Sequence, residues 1–128
     1  MKLLLDTHAF IWWATDDTRL SEQATNAIMS PGNELYLSAA SVWEMAIKSA
    51  LGRMQIAMSL RDFLTTYKAQ YELEDLPILR QHAAAVANLP PHHRDPFDRM
   101  LIAQAQLEEM LVLTADSAFT AYDVARLW

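Results

Sequence analysis

The sequence predicts an α/β domain with a central parallel sheet flanked by helices. Short apolar runs of strand length recur along the chain, segments with helical spacing of apolar residues lie between them, and the connections are too long for hairpins. One compact domain over residues 1–128 fits the length, and no internal repeat is visible.

Lys2 to Leu5 is apolar on both faces, as a central covered strand is, and places Asp6 at its C-terminal end. Thr7 to Thr15 reads as a short helix, and Ser21 offers an N-cap for a second one over Glu22 to about Met29, which Pro31, Gly32 and Asn33 stop. Leu35 to Ser38 is a second strand. Ser41-Val42-Trp43-Glu44 has the form of a capping box, which predicts a helix from about Val42 that ends at Gly52. Ser59 opens a helix to about Gln70, with Leu60, Phe63, Leu64 and Tyr67 on one face. Leu76 to Ile78 is a brief third strand, placed at a sheet edge by Pro77, and an Ala-rich helix follows to Asn88. After a loop over Leu89 to Arg94, Asp95-Pro96 predicts an N-cap with proline at the first helical position, and Met100, Ala103, Leu107 and Met110 continue the stripe. Leu111 to Leu113 is a fourth strand and Val124 to Leu127 a last short one.

Composition removes several classes of function. The chain is 52% hydrophobic and 20% charged, with five Pro, two Gly and no low-complexity run, which argues against a disordered tail. Without Cys it has neither disulfides nor thiolate metal sites, and a reducing cytoplasm is the expected setting. No apolar stretch is long enough to span a membrane, and Asp6 interrupts the N-terminal run too early for a signal peptide. A net charge of -6 means that bulk electrostatics cannot hold nucleic acid, so any such contact must be local, metal-assisted or carried by a few arginines.

Four acids then stand out through the topology. In a parallel α/β sheet the C-terminal ends of the strands and the N-terminal ends of the following helices share one edge. Asp6 and Asp116 follow strands, while Glu44 and Asp98 open helices, so all four are expected on one rim. Each has a plainer role as a cap or as part of a capping box. Together they would repel and raise one another's pKa unless a cation compensates them. A hard divalent ion such as Mg²⁺ or Mn²⁺ takes oxygen ligands, activates water and stabilises charge on a phosphoryl oxygen, so phosphodiester hydrolysis suits this set.

The blocks LLLDTHAFIWW, VWEMAIK around Glu44, HHRDPFDRMLIAQA around Asp98 and LTADSAF around Asp116 resemble PIN-domain proteins of the VapC toxin type, from Lys2 to about Tyr122. That resemblance implies a PIN-like fold over residues 1–128, Mg²⁺-dependent endoribonuclease activity, an RNA substrate, a cognate antitoxin and a homodimer. It maps the metal-site and catalytic acids onto Asp6, Glu44, Asp98 and Asp116. Asp95 belongs to the same signature, with an N-cap role first and a site role second. Thr7 and Thr114, beside the acids, either orient water or substrate or make local backbone hydrogen bonds.

Around this centre several side chains keep two readings. Arg94 and Arg99 either contact phosphate or pair with nearby acids, and His92 and His93 are expected as solvated loop residues rather than ligands. Trp12, Trp13 and Trp43 are expected in packing rather than as a stacking platform for bases. Leu51 to Met58 is either a connector or a contact for a second copy or the antitoxin. Among other classes, a receiver-like Mg²⁺-binding signalling domain would need an acid beside Asp6 and a late Lys, yet no Lys follows Lys68. A dehalogenase-type phosphatase would need a second Asp two residues after the first, where His8 stands. A PIN-like scaffold that binds partners without cleaving is the remaining alternative.

Overall fold

The computed structural model describes residues 1–128. Strand β1 (Lys2–Leu5) is followed by α1 (Thr7–Ala14) and α2 (Glu22–Met29), then β2 (Glu34–Ser38), α3 (Ala39–Ala50), α4 (Leu60–Tyr71) and β3 (Glu74–Leu76). The second half holds α5 (Arg80–Ala85), α6 (Pro96–Glu108), β4 (Leu111–Leu113) and β5 (Arg126–Leu127), with 3₁₀ turns at Val86–Asn88 and Ser117–Ala121. The five strands run parallel in the order β3-β2-β1-β4-β5. This is the fold class the sequence predicts.

Alternation along β1 divides the core. Leu3 and Leu5 point to one face with Phe10, Ile28, Leu37, Met45, Phe63 and Leu113. Leu4 points to the other with Leu101, Ile102, Val112 and Phe119. Both faces are closed by helices, so β1 is buried on both sides, as its unbroken leucines require. The chain builds outward from β1 through β2 to β3, then crosses back to lay β4 on the other side of β1. The strand order therefore reverses between β1 and β4, and a crevice opens at the C-terminal ends of such a pair.

Four local expectations are corrected. Helix α3 starts at Ala39, not near Val42, because β2 runs into it without a loop and Ser38 is the cap, its Oγ accepting from the Ala40 N–H at 3.0 Å. The Ser38 hydroxyl also donates to Gln104 Oε1 at 2.5 Å, which ties this cap to α6. Ser41 is thus interior to the helix and buried. Strand β3 lies at Glu74–Leu76 rather than Leu76–Ile78: Pro77 has no N–H to give, and the edge position tolerates the charged Glu74 and Asp75 that hide the strand from a hydrophobic pattern. The last strand is only Arg126–Leu127, and the turn Ser117–Ala121 comes between it and β4. Finally, Trp43 is 60% exposed on the outer side of α3, edge-on to Phe97, rather than packed in the core. Trp12 and Trp13 are partly buried, as expected, Trp13 against the first core cluster and Trp12 edge-on to Trp128.

Elsewhere the predicted signals act as read. Ser21, Ser59 and Asp95 cap their helices, and Gly52, at φ 68°, takes the left-handed conformation that stops α3. The segment Leu51 to Met58 is an exposed connector pinned to the core through Met54 and Ile56.

Candidate active site

Asp6 leaves β1 at the reversal point, where its N–H donates to the Leu113 carbonyl of β4 at 3.1 Å. Its Oδ1 accepts from the Ala9 N–H at 2.7 Å and caps α1, so the capping role and the rim position coexist in one side chain. Burial pushes its pKa up, opposed by hydrogen bonds from Thr114 and the Ala9 N–H and by His8, while Asp116 adds to the rise.

Glu44 sits in the second turn of α3, buried, and both of its oxygens are engaged: Thr7 Oγ1 donates to Oε1 at 2.7 Å and Lys48 Nζ to Oε2 at 2.6 Å. Thr7, also buried, is therefore not bonded to local backbone through its hydroxyl; it holds an acid from the neighbouring element.

Asp98, in the first turn of α6, is the most perturbed acid of the rim. Its pKa is pushed up to about 7, first by burial and then by the negative charges of Asp95, Asp116, Glu44 and Asp6. Asp98 therefore lies within electrostatic reach of the other predicted acids. His93 Nε2 lies 3.5 Å from Asp98 Oδ2, and His93 Nδ1 is 2.8 Å from the Tyr122 hydroxyl. His93 is half-buried and built into the rim, which corrects its reading as a solvated loop residue, whereas His92 is exposed.

Asp116 is exposed just beyond β4, caps the following 3₁₀ turn by accepting from the Ala118 N–H at 2.9 Å, and donates its own N–H to Thr114 Oγ1 at 3.0 Å. Thr114 thus makes the expected local backbone bond and also serves Asp6. Asp95 accepts from the N–H groups of Phe97 and Asp98 at 2.9 and 3.1 Å, the N-cap role. Arg99 is a strut rather than a partner of either expected kind: it donates to the carbonyls of Pro90, Val86 and Leu89 and to the Tyr122 hydroxyl at 2.8 to 3.3 Å. Arg94 is exposed beside Trp43 and Phe97 in an apolar cleft of about 280 Å³.

On its open side the crevice is a cleft of about 290 Å³ lined by Asp6, His8, Trp12, Arg19, Ala115 and Asp116. Arg19 is paired with Asp17 at 2.8 Å and its guanidinium lies 4.8 Å from the Trp12 ring centroid. Lys48, His8, Arg19 and Tyr122 escaped the reading of the sequence. Lys48 alone had a signal there, one helical turn after Glu44.

The donor set is hard oxygen of concentrated negative charge, which fits a divalent cation such as Mg²⁺ or Mn²⁺. As the side chains stand, no three of the His, Asp or Glu groups are arranged to hold one ion. Glu44 is bound to Thr7 and Lys48, and Asp6 to its helix cap.

Residues 3–125 match the PIN domain family, to which the chain belongs, and the parallel five-stranded sheet flanked by helices is the fold of that family. Within it the chain is of the VapC type. It is 30% identical over 115 residues to Ribonuclease VapC22 of Mycobacterium tuberculosis (strain ATCC 25618 / H37Rv), covering 89% of this chain and 86% of that protein. The fold is shared with VapBC2 from Rickettsia felis bound to a promoter DNA fragment, at a TM-score of 0.74 and 12% identity over 99% of this chain and 98% of that one. It is also shared with FitAB bound to the IR36 DNA fragment, at 0.66 and 24% over 98% and 93% of the two chains.

Proposed function

We propose that this chain is the toxin of a type II toxin-antitoxin pair and acts in the cytoplasm as a Mg²⁺-dependent endoribonuclease that hydrolyses RNA phosphodiester bonds. The observation that carries the reading is the setting of Asp98, a half-buried carboxyl that also meets the negative charge of Asp95, Asp116, Glu44 and Asp6. Its support from outside the chain is the name of the VapC22 relative, a ribonuclease, and the toxin-antitoxin complexes that share the fold.

Asp6, Glu44, Asp98 and Asp116 are the residues that would hold the ion, with Mn²⁺ able to substitute. Bound there, a divalent cation supplies an activated water and neutralises charge on the phosphoryl oxygens. The protein's own share is positional. Thr7 fixes Glu44 and Thr114 serves Asp6 from β4. Asp95 holds the first turn of α6 so that Asp98 faces the rim. Asp98, whose pKa burial pushes up to about 7, would be held in its ionised form by a bound cation.

Partner surfaces support the rest of the reading. Trp43 and Ile47 are exposed one turn apart on α3 and Leu51 at its C-cap, and Ile78 and Leu79 are exposed before α5. Such a stripe fits a second copy of the chain or the antitoxin. No helix is long and apolar enough to cross a membrane.

Cleavage of a mixed RNA pool by the purified chain with Mg²⁺ or Mn²⁺ tests the activity, with EDTA and Asp98→Asn as controls. Cutting lost in both controls supports the metal nuclease. No cutting by folded, antitoxin-free protein would instead favour a PIN-like scaffold that only binds partners.

A further inference from the structure

The rim of acids carries a lysine in direct contact with one of its carboxylates. Lys48 follows Glu44 by one turn of α3, so the helix itself delivers the ammonium to Glu44 Oε2 at 2.6 Å. The other arginines near the rim are committed elsewhere, Arg99 to backbone carbonyls and the Tyr122 hydroxyl and Arg19 to Asp17. Thr7 holds the second oxygen of the same carboxylate, so each Glu44 oxygen already has one donor and an incoming ion shares the carboxylate with them. Thr7 is buried and fixed, whereas the Lys48 side chain is 38% exposed and is free to withdraw into solvent.

We propose that Lys48 is a positioning residue, a tethered counter-cation that occupies Glu44 in the metal-free centre and competes there with the divalent ion. The inference rests on the metal-centre reading given above. The four acids and Lys48 then form a set that is already partly neutralised, and an ion arriving at Glu44 meets the positive charge of the ammonium on Oε2. The metal affinity of the centre is accordingly lower than the carboxylates alone would give, and the residue that sets the difference lies outside the acids.

The test is Mn²⁺ binding to the full chain without RNA, read from the paramagnetic resonance signal of free Mn²⁺. Lys48→Gln removes the charge and is expected to bind Mn²⁺ about fivefold more tightly than wild type, the size of a partly exposed ion pair. Lys48→Arg keeps the charge and is expected to stay close to wild type, an outcome that mere loss of packing would not produce. Equal or weaker Mn²⁺ binding by Lys48→Gln overturns the proposal. Circular dichroism checks the fold, and should Lys48→Gln not fold, Lys48→Met decides the question by the same criteria. Binding by wild type that Asp98→Asn abolishes and Lys48→Gln leaves untouched overturns the role of Lys48 alone. No binding by wild type overturns the metal reading and this proposal with it.

Discussion

Asp98 illustrates how a single carboxyl ties the chemistry of the rim to the stability of the fold. Its native pKa of about 7 lies above its ordinary value of 3.8, so between those values the folded state binds more protons than the unfolded state. Stability therefore falls as pH rises through that window, and the full penalty applies above it. The melting temperature of metal-free protein is expected to drop between about pH 4 and pH 7 from this source. Asp98→Asn should flatten that dependence, and added Mg²⁺ should restore stability at pH 7 in the wild type only. The same variant, and Asp6→Asn, are expected to lower Mg²⁺-dependent RNA cleavage by about 100-fold or more while circular dichroism stays unchanged.

At the scale of elements, the junction between β2 and α3 shows what a sequence gives away and what it hides. Caps such as Ser21, Ser59 and Asp95 are legible because a connecting segment separates each from the preceding element. Ser41 and Ser38 both precede apolar residues, and only the register of β2 against β1, a non-local fact, decides that Ser38 is the cap. That one shift explains why Glu44 lies in the second turn rather than the first. The positions of Asp6 and Asp116 were legible from strand ends, and that of Asp98 from the Asp95-Pro96 helix start. The ties that hold the site, Thr7 to Glu44 and Tyr122 to His93 and Arg99, were not, because they join residues far apart in the chain. Ser38→Ala removes an N-cap and leaves the buried Gln104 Oε1 without its donor, so it should destabilise the protein by about 2 kcal/mol, measurable by urea denaturation.

For the whole molecule, the two-faced core and the bare stripe on α3 make separate predictions. Leu4 is fully buried between the sheet and the helices of the second cluster, so Leu4→Ala should cost about 2 to 5 kcal/mol, seen as a lower urea midpoint with an unchanged slope. Ile47, at the centre of the exposed stripe, supports no core, and Ile47→Lys should leave stability nearly unchanged. If the stripe is the homodimer contact, light scattering after size exclusion will show wild type at twice the mass of this variant. Equal masses would place the second copy elsewhere.

The flanks of the sheet restrict how anything can join it. β3 has three residues, two of them acidic, and β5 has two, one of them Arg126, whose guanidinium is turned back onto the Thr114 carbonyl. Neither offers a visiting chain a ladder of free N–H and C=O groups long enough to extend. A partner of this protein must therefore recognise it side chain against side chain, through helical faces and the open rim, and its specificity will be written in shape and charge rather than in backbone pairing.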